Sequence, residues 1–128
     1  NWEWRKIKLK KLEGETSSQY SSRHSKLARL LDPNHGRKQN YKYNYGLTLE
    51  EVNAKLDAQN HLCYICKEPE GAIDFRTGKI RTLALDHNHK TKKNRDVLCT
   101  RCNNVLGRVE ENIEILSNMI LYLRRHES

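Results

Sequence analysis

Two cysteine pairs constrain this chain more than anything else in it: Cys63-Tyr64-Ile65-Cys66 and Cys99-Thr100-Arg101-Cys102. Two Cys-x-x-Cys units can close a tetrahedral four-thiolate zinc site in which each pair forms a tight knuckle. A metal held by all four sulfurs draws Cys99 beside Cys66 and folds the intervening stretch back on itself. All 4 cysteines of the chain lie in these pairs. No stretch reads as an export signal, so reduced, metal-bound thiolates are expected rather than disulfides.

Composition makes such a staple useful. Only 36% of the 128 residues are hydrophobic, and the mean hydropathy is −0.94. A small core is therefore expected, of the kind a structural metal stabilises. Nothing approaches the roughly 18 consecutive apolar residues of a membrane span. The net charge of +8 is unevenly spread: residues 1–45 hold 11 Lys and Arg against 4 Asp and Glu, and residues 46–128 hold 13 against 12. A basic N-terminal extension (1–45) joined to a nearly neutral metal domain (46–128) points to a polyanionic partner, most simply nucleic acid. A solubilising tail is the competing reading. Asn1 rather than Met opens the chain, as in a fragment, a processed form or a renumbered chain.

Trp2, Trp4, Ile7 and Leu9 are interleaved with Arg5, Lys6, Lys8, Lys10 and Lys11, a pattern that suits a strand as well as a helix. The tryptophans are expected to pack on the neighbouring domain; stacking on nucleic-acid bases is the alternative. A loop is expected at 14–22 and a short helix at 22–31, ended by Asp32-Pro33-Asn34-His35-Gly36. Arg37, Lys38 and Lys42, with alternating Tyr41, Tyr43 and Tyr45, read as a phosphate-contacting linker, or equally the tyrosines as a lid on the core. Thr48-Leu49-Glu50-Glu51 has capping-box spacing and predicts a helix to about Ala58 that buries Leu49, Val52 and Leu56. Ile73-Asp74-Phe75 and residues 80–85 predict two strands around a turn at Thr77-Gly78. A polar loop (86–95), a strand at Val97-Leu98 and a helix from Thr100 that pauses at Gly107 follow. Residues 111–125 form an amphipathic pattern expected to cover the core.

Between the knuckles runs Leu85-Asp86-His87-Asn88-His89-Lys90-Thr91, and Asn103 follows the last cysteine. With Gly46-Leu47-Thr48-Leu49-Glu50-Glu51, Arg95, and Leu98-Cys99-Thr100-Arg101-Cys102-Asn103 running on to Leu106-Gly107, residues 46–123 resemble the recombination endonuclease VII branch of the HNH (ββα-metal) nucleases. The resemblance covers about two thirds of the chain and implies an α+β fold. Its zinc-stapled ββα-metal core, of the HNH or His-Me finger type, would carry flanking helices and the basic extension. Two departures are visible: Asn88 stands where the family usually has a second Asp, and Asn94 where it has an apolar residue.

The resemblance implies phosphodiester hydrolysis. His87 would be the general base, and Asp86 with Asn103 would ligate one catalytic Mg²⁺ or Mn²⁺; neutral imidazole and hard oxygen ligands suit those tasks. Cys63, Cys66, Cys99 and Cys102 would hold structural zinc, since four thiolates leave no open position. Adjacent residues of an extended strand face opposite ways, so Asp86 is expected at the strand's end, where the backbone departs from that alternation. Asn88 and His89 are accessory candidates, His89 as a ligand, a phosphate contact or, preferably, a hydrogen bonder that fixes the loop. Lys90, Lys92, Lys93 and Arg95 would meet the DNA backbone, or else form a solvated loop.

The expected protein is a DNA endonuclease that nicks or cuts duplex, with branched-DNA resolution as the alternative. Rival readings are a non-catalytic zinc-stapled DNA-binding module and an RNA-directed nuclease. Monomer and homodimer remain open. A phage origin would place the protein in a bacterial host's cytoplasm.

Overall fold

The structure, a computed structural model, describes residues 9–127. It is α+β, with five helices and one two-stranded sheet among the described residues. The chain divides into two compact units, one up to Glu50 and one from Glu51. The tryptophan-lysine interleaving lies mostly outside the described residues. Its described end, residues 9–12, is neither strand nor helix.

In the first unit, α1 (Ser17–Leu31) starts five residues earlier than the sequence pattern suggests. The reason is a capping box at Thr16: its hydroxyl accepts from the Gln19 amide at 3.2 Å, and the Gln19 side chain accepts from the Thr16 amide at 2.9 Å. Residues 9–15 are pinned to this helix. The Tyr20 hydroxyl donates to the Leu9 carbonyl, and Arg23 donates to Lys10 and Glu15. That guanidinium holds the Glu15 carboxyl down at about 2.

The expected basic linker is instead a helix, α2 (His35–Tyr45). Pro33 ends α1 but sits just ahead of the next helix, where its fixed φ is harmless. Helical geometry changes the meaning of the tyrosines: Tyr41 and Tyr45, four apart, share a face, and Tyr43 is exposed. Gly46, at φ +66, closes the helix in the left-handed conformation that glycine adopts without strain. Directly after Thr48 comes α3 (Leu49–Ala58), which buries Leu49, Val52 and Leu56 as expected.

The second unit is built on β1 (Ala84–His87) and β2 (Asn94–Leu98), which pair antiparallel, followed at once by α4 (Thr100–Arg108) packed against β1. Leu83, Leu85, Val97, Leu98, Val52, Leu56 and Val109 form its small core with Cys63 and Cys99. Gln59, just past α3, serves β2 as a surrogate strand. Its side-chain oxygen accepts from the Val97 amide at 3.0 Å, and its side-chain nitrogen donates to the Val97 carbonyl at 2.9 Å. Two buried backbone groups on the strand edge are thereby satisfied.

Five expectations change here. The hairpin at 73–80 is reduced to a single bridge between Ile73 and Ile80, and regular strand begins only at Ala84. The polar loop shrinks to residues 88–93, because Asp86, His87, Asn94 and Arg95 belong to the strands. α4 does not pause at Gly107 but continues to Arg108. Glu110 and Glu111 adopt positive φ, so the last helix, α5 (Ile113–Arg125), starts at the Asn112 cap, whose side chain accepts from the Ile115 amide. α5 also fails to cover the core: it holds no buried residue, and Leu121, Tyr122 and Leu123 are exposed. Its apolar stripe is present, but only Leu116 on it is half-buried, and Ile113, Ile120 and Leu123 are exposed.

Candidate metal and active site

The four cysteine sulfurs lie within 4.8 Å of one another, and Cys66 Sγ is 3.8 Å from Cys99 Sγ. Tetrahedral zinc with bonds of about 2.3 Å to sulfur requires sulfurs about 3.8 Å apart. The residues therefore fit a four-thiolate metal. Each knuckle is shaped by its own backbone. Lys67, at φ +62, turns the chain so that its amide reaches the Cys63 carbonyl, and Cys99 caps α4 with its sulfur on the Cys102 amide.

The ligands are electrostatically unequal. Burial opposes ionisation of Cys63, yet amide donors from Cys99, Cys66 and Ile65 outweigh it and hold this thiol down at about 6. Burial pushes Cys102 up to about 12, with hydrogen bonds from the other cysteines adding to the rise. Metal binding must displace the Cys102 proton, so affinity depends on pH. Arg101 donates to Cys66, which raises the Arg101 pKa further and sets a cation beside the thiolates.

Glu70, which carried no motif in the sequence, locks the first knuckle to α4. Its Oε2 accepts from the Thr100 amide at 2.8 Å and hydroxyl at 2.9 Å, and its Oε1 accepts from the Gly71 and Ala72 amides. Burial would raise its pKa, but these donors win and lower it. The Thr100 amide belongs to the first turn of α4, so Glu70 satisfies a donor that the helix itself cannot.

Asp86 is buried at an irregularity of the sheet. Leu85 pairs with Val97 and His87 with Asn94, so Arg95 and Asp96 together oppose Asp86. Such a bulge re-aims side chains. Leu85 and Asp86 are consequently both buried although adjacent, while His87 is half-buried with its ring 4.6 Å from that of His89. Asp86 thus departs from strict alternation as expected, but through a bulge inside β1 rather than at the strand's end, which is His87.

Arg95 takes a place the sequence did not suggest. Its Nε donates to Asp86 Oδ2 at 2.7 Å, one Nη donates to the His87 carbonyl, and the guanidinium bridges to Glu111 at 2.8 and 3.3 Å. These bonds raise its pKa. Glu111 also lies 3.6 Å from His89 Nε2. The positive φ values of Glu110 and Glu111 place this anchor.

Asn88 shapes the loop, its Oδ1 accepting from the Lys90 and Thr91 amides. An acceptor oxygen suffices for that task, which Asn supplies as well as Asp. Lys90, Lys92 and Lys93 are exposed around it. A cavity of about 460 Å³ is lined by Asn88, His89, Lys90, Gly107, Glu110 and Glu111. Asn103 lies one turn into α4, half-buried, on the helix that packs against β1. In the first unit, Lys38 pairs with Asp32 at 2.8 Å, Arg37 lies over Tyr41 and Lys42 over Tyr43.

A ββα unit whose sheet and helix are tied by paired cysteine knuckles defines a cysteine-knuckle ββα protein. The profile of recombination endonuclease VII matches residues 38–125, and the chain belongs to that family. It is 42% identical over 82 residues to the Gene 59 protein of Mycobacterium phage D29, covering 63% of this chain and 46% of that protein. With the Gene 59 protein of Mycobacterium phage L5 it shares 38% identity over 80 residues, 62% of this chain and 44% of that one. The chain thus spans under half the length of the curated relatives it matches. No solved structure matches it. No described helix is long and apolar enough to cross a membrane.

Proposed function

We propose that this chain is a metal-dependent DNA endonuclease of the HNH type, with His87 as general base and Asp86 and Asn103 as ligands of one Mg²⁺ or Mn²⁺. The observation that carries the reading is the bulge at Asp86, which buries a carboxylate beside His87 on the strand facing α4, the helix of Asn103. A carboxylate accepts at two oxygens. With Oδ2 engaged by Arg95, Asp86 would offer its other oxygen to the cation. When bound, a divalent cation supplies charge neutralisation at the phosphate and at the departing 3′-oxygen. His87 accepts the proton of the attacking water as its oxygen bonds to phosphorus and the bond to the 3′-oxygen breaks. Lys90, Lys92 and Lys93, with Arg37, Lys38 and Lys42 of the basic unit, supply the phosphate contacts. Arg95 serves the site by orienting Asp86.

Duplex nicking is the elementary event for one site per chain. The family's description as a recombination endonuclease favours a branched intermediate as the second reading. The test is Mn²⁺-dependent cleavage of plasmid and branched DNA by the wild type and by His87→Ala. Loss of a general base lowers the rate by about 10²–10⁴-fold, while zinc content and Tm stay unchanged. A wild type that binds DNA and cuts none of these substrates under Mg²⁺ or Mn²⁺ is a binding module instead.

A further inference from the structure

Between the first knuckle and β1 the chain makes a projection, residues 70–82, that no role so far accounts for. It is rigid by construction. Its base is fastened by the four bonds of Glu70, and its two sides are joined by bonds from the Asp74 amide to the Lys79 carbonyl and from the Arg81 amide to the Ala72 carbonyl, both 2.8 Å. The tip is closed by Asp74. Its carbonyl accepts from Thr77 and Gly78, and its carboxylate accepts from the Arg76 amide. Gly78, at φ +68, makes the reversal.

This rigid tip displays apolar surface. Phe75, the only phenylalanine in the chain, is 87% exposed, and Ile73 and Ile80, paired across the bridge, are exposed beside it. Arg76, Lys79 and Arg81 lie in the same turn, whose acid, Asp74, is spent within it, accepting from the Arg76 amide and lying 3.6 Å from Arg76 Nε. A single exposed aromatic is ordinary. A rigidly held aromatic flanked by three cations has the composition of elements that stack on bases or wedge between them while neutralising phosphates.

We propose that this projection is a DNA-binding wedge, with Phe75 stacking on an unpaired or unstacked base and Arg76, Lys79 and Arg81 holding the flanking phosphates. The proposal rests on the reading of the chain as a DNA-acting protein. It adds the element that would recognise a local distortion in the duplex.

The test measures binding with Ca²⁺ in place of Mg²⁺, using a fully paired duplex and the same duplex with one unpaired 2-aminopurine. Base–aromatic stacking of about 1–3 kcal/mol corresponds to roughly 5- to 150-fold in affinity. Phe75→Ala should lose that factor on the distorted duplex, stay within about twofold on the paired one, and abolish the 2-aminopurine fluorescence change. Phe75→Trp should restore all three. Replacing Arg76, Lys79 and Arg81 together by Gln should weaken both complexes and make the salt slope shallower by about 2.7, at roughly 0.9 per phosphate contact. Phe75 is too exposed for its loss to unfold the unit, and unchanged zinc content and Tm will check this. The wedge is overturned if Phe75→Ala binds both duplexes like the wild type, or weakens both equally. It is equally overturned if Phe75→Ala only dissolves a wild-type dimer, which would make the tip a self-association surface. A wild type that binds neither duplex removes the DNA reading itself.

Discussion

Arg95 holds Asp86 by a 2.7 Å bond from Nε to Oδ2, and the rest of the guanidinium is spent on Glu111 and the His87 carbonyl. The pairing follows from the β-bulge, which sets Arg95 and Asp96 opposite one residue of β1. Arg95→Ala leaves a buried carboxylate without this donor. It should cost about 1–3 kcal/mol, or several degrees in Tm, and weaken Mn²⁺ binding measured by calorimetry. Arg95→Lys should recover only part of either, because an ammonium cannot fork between Asp86 and Glu111. Wild-type stability and Mn²⁺ affinity in both variants would show that Asp86 is positioned by the sheet alone.

The cysteine cluster should behave as a staple. Ligation of a structural zinc is coupled to folding, and the core here is small. Stripping zinc with a strong chelator should therefore unfold the second unit, seen as loss of a cooperative melt. Protons compete for the thiolates, so zinc release should become easier as pH falls. Cys102→Ser should lose zinc at neutral pH. A metal-free protein with the wild-type Tm would refute the staple.

The knuckles, the ββα order and the burial of Val52 and Leu56 were legible in the sequence because each rests on local spacing. The polar strand ends were not. Asp86, His87, Asn94 and Arg95 are charged or polar enough to read as loop, and only the tertiary pairing of Asp86 with Arg95 and of Arg95 with Glu111 makes strand tolerable there. The α2 helix was hidden by tyrosines whose alternation imitates a strand. The Thr16–Gln19 capping box has the S/T-x-x-E/Q spacing that local sequence carries. Glu70 and Gln59 had no signal at all, since each answers a backbone group at least 30 residues away.

The exposure of α5 gives a direct contrast. Leu121→Ala and Leu123→Ala, at positions 62% and 65% exposed, should each change stability by no more than about 0.5 kcal/mol. Leu98→Ala in β2, 3% exposed, should cost about 2–5 kcal/mol. Urea unfolding of the three variants measures the difference. A cost above 2 kcal/mol at Leu121 would mean that α5 packs on something in solution.

Glu70 offers a prediction whose sign depends on pH. Its folded pKa is lowered, chiefly because the amides of Ala72 and Thr100 outweigh the burial that opposes ionisation. A carboxylate with a depressed folded pKa contributes stability that is fully present above its unfolded value. That contribution is lost as pH falls through the folded value. Glu70→Gln keeps an acceptor oxygen but removes the charge from the first turn of α4, and should cost about 1 kcal/mol at neutral pH. The gap between mutant and wild type should narrow as pH falls below the ordinary carboxylate range. Amide hydrogen exchange at Ala72 and Thr100 offers a local readout where acid also threatens the metal: at pH 7 both amides should exchange faster in Glu70→Gln. Equal exchange in the two proteins would mean that the projection and the start of α4 are held without the carboxylate's charge.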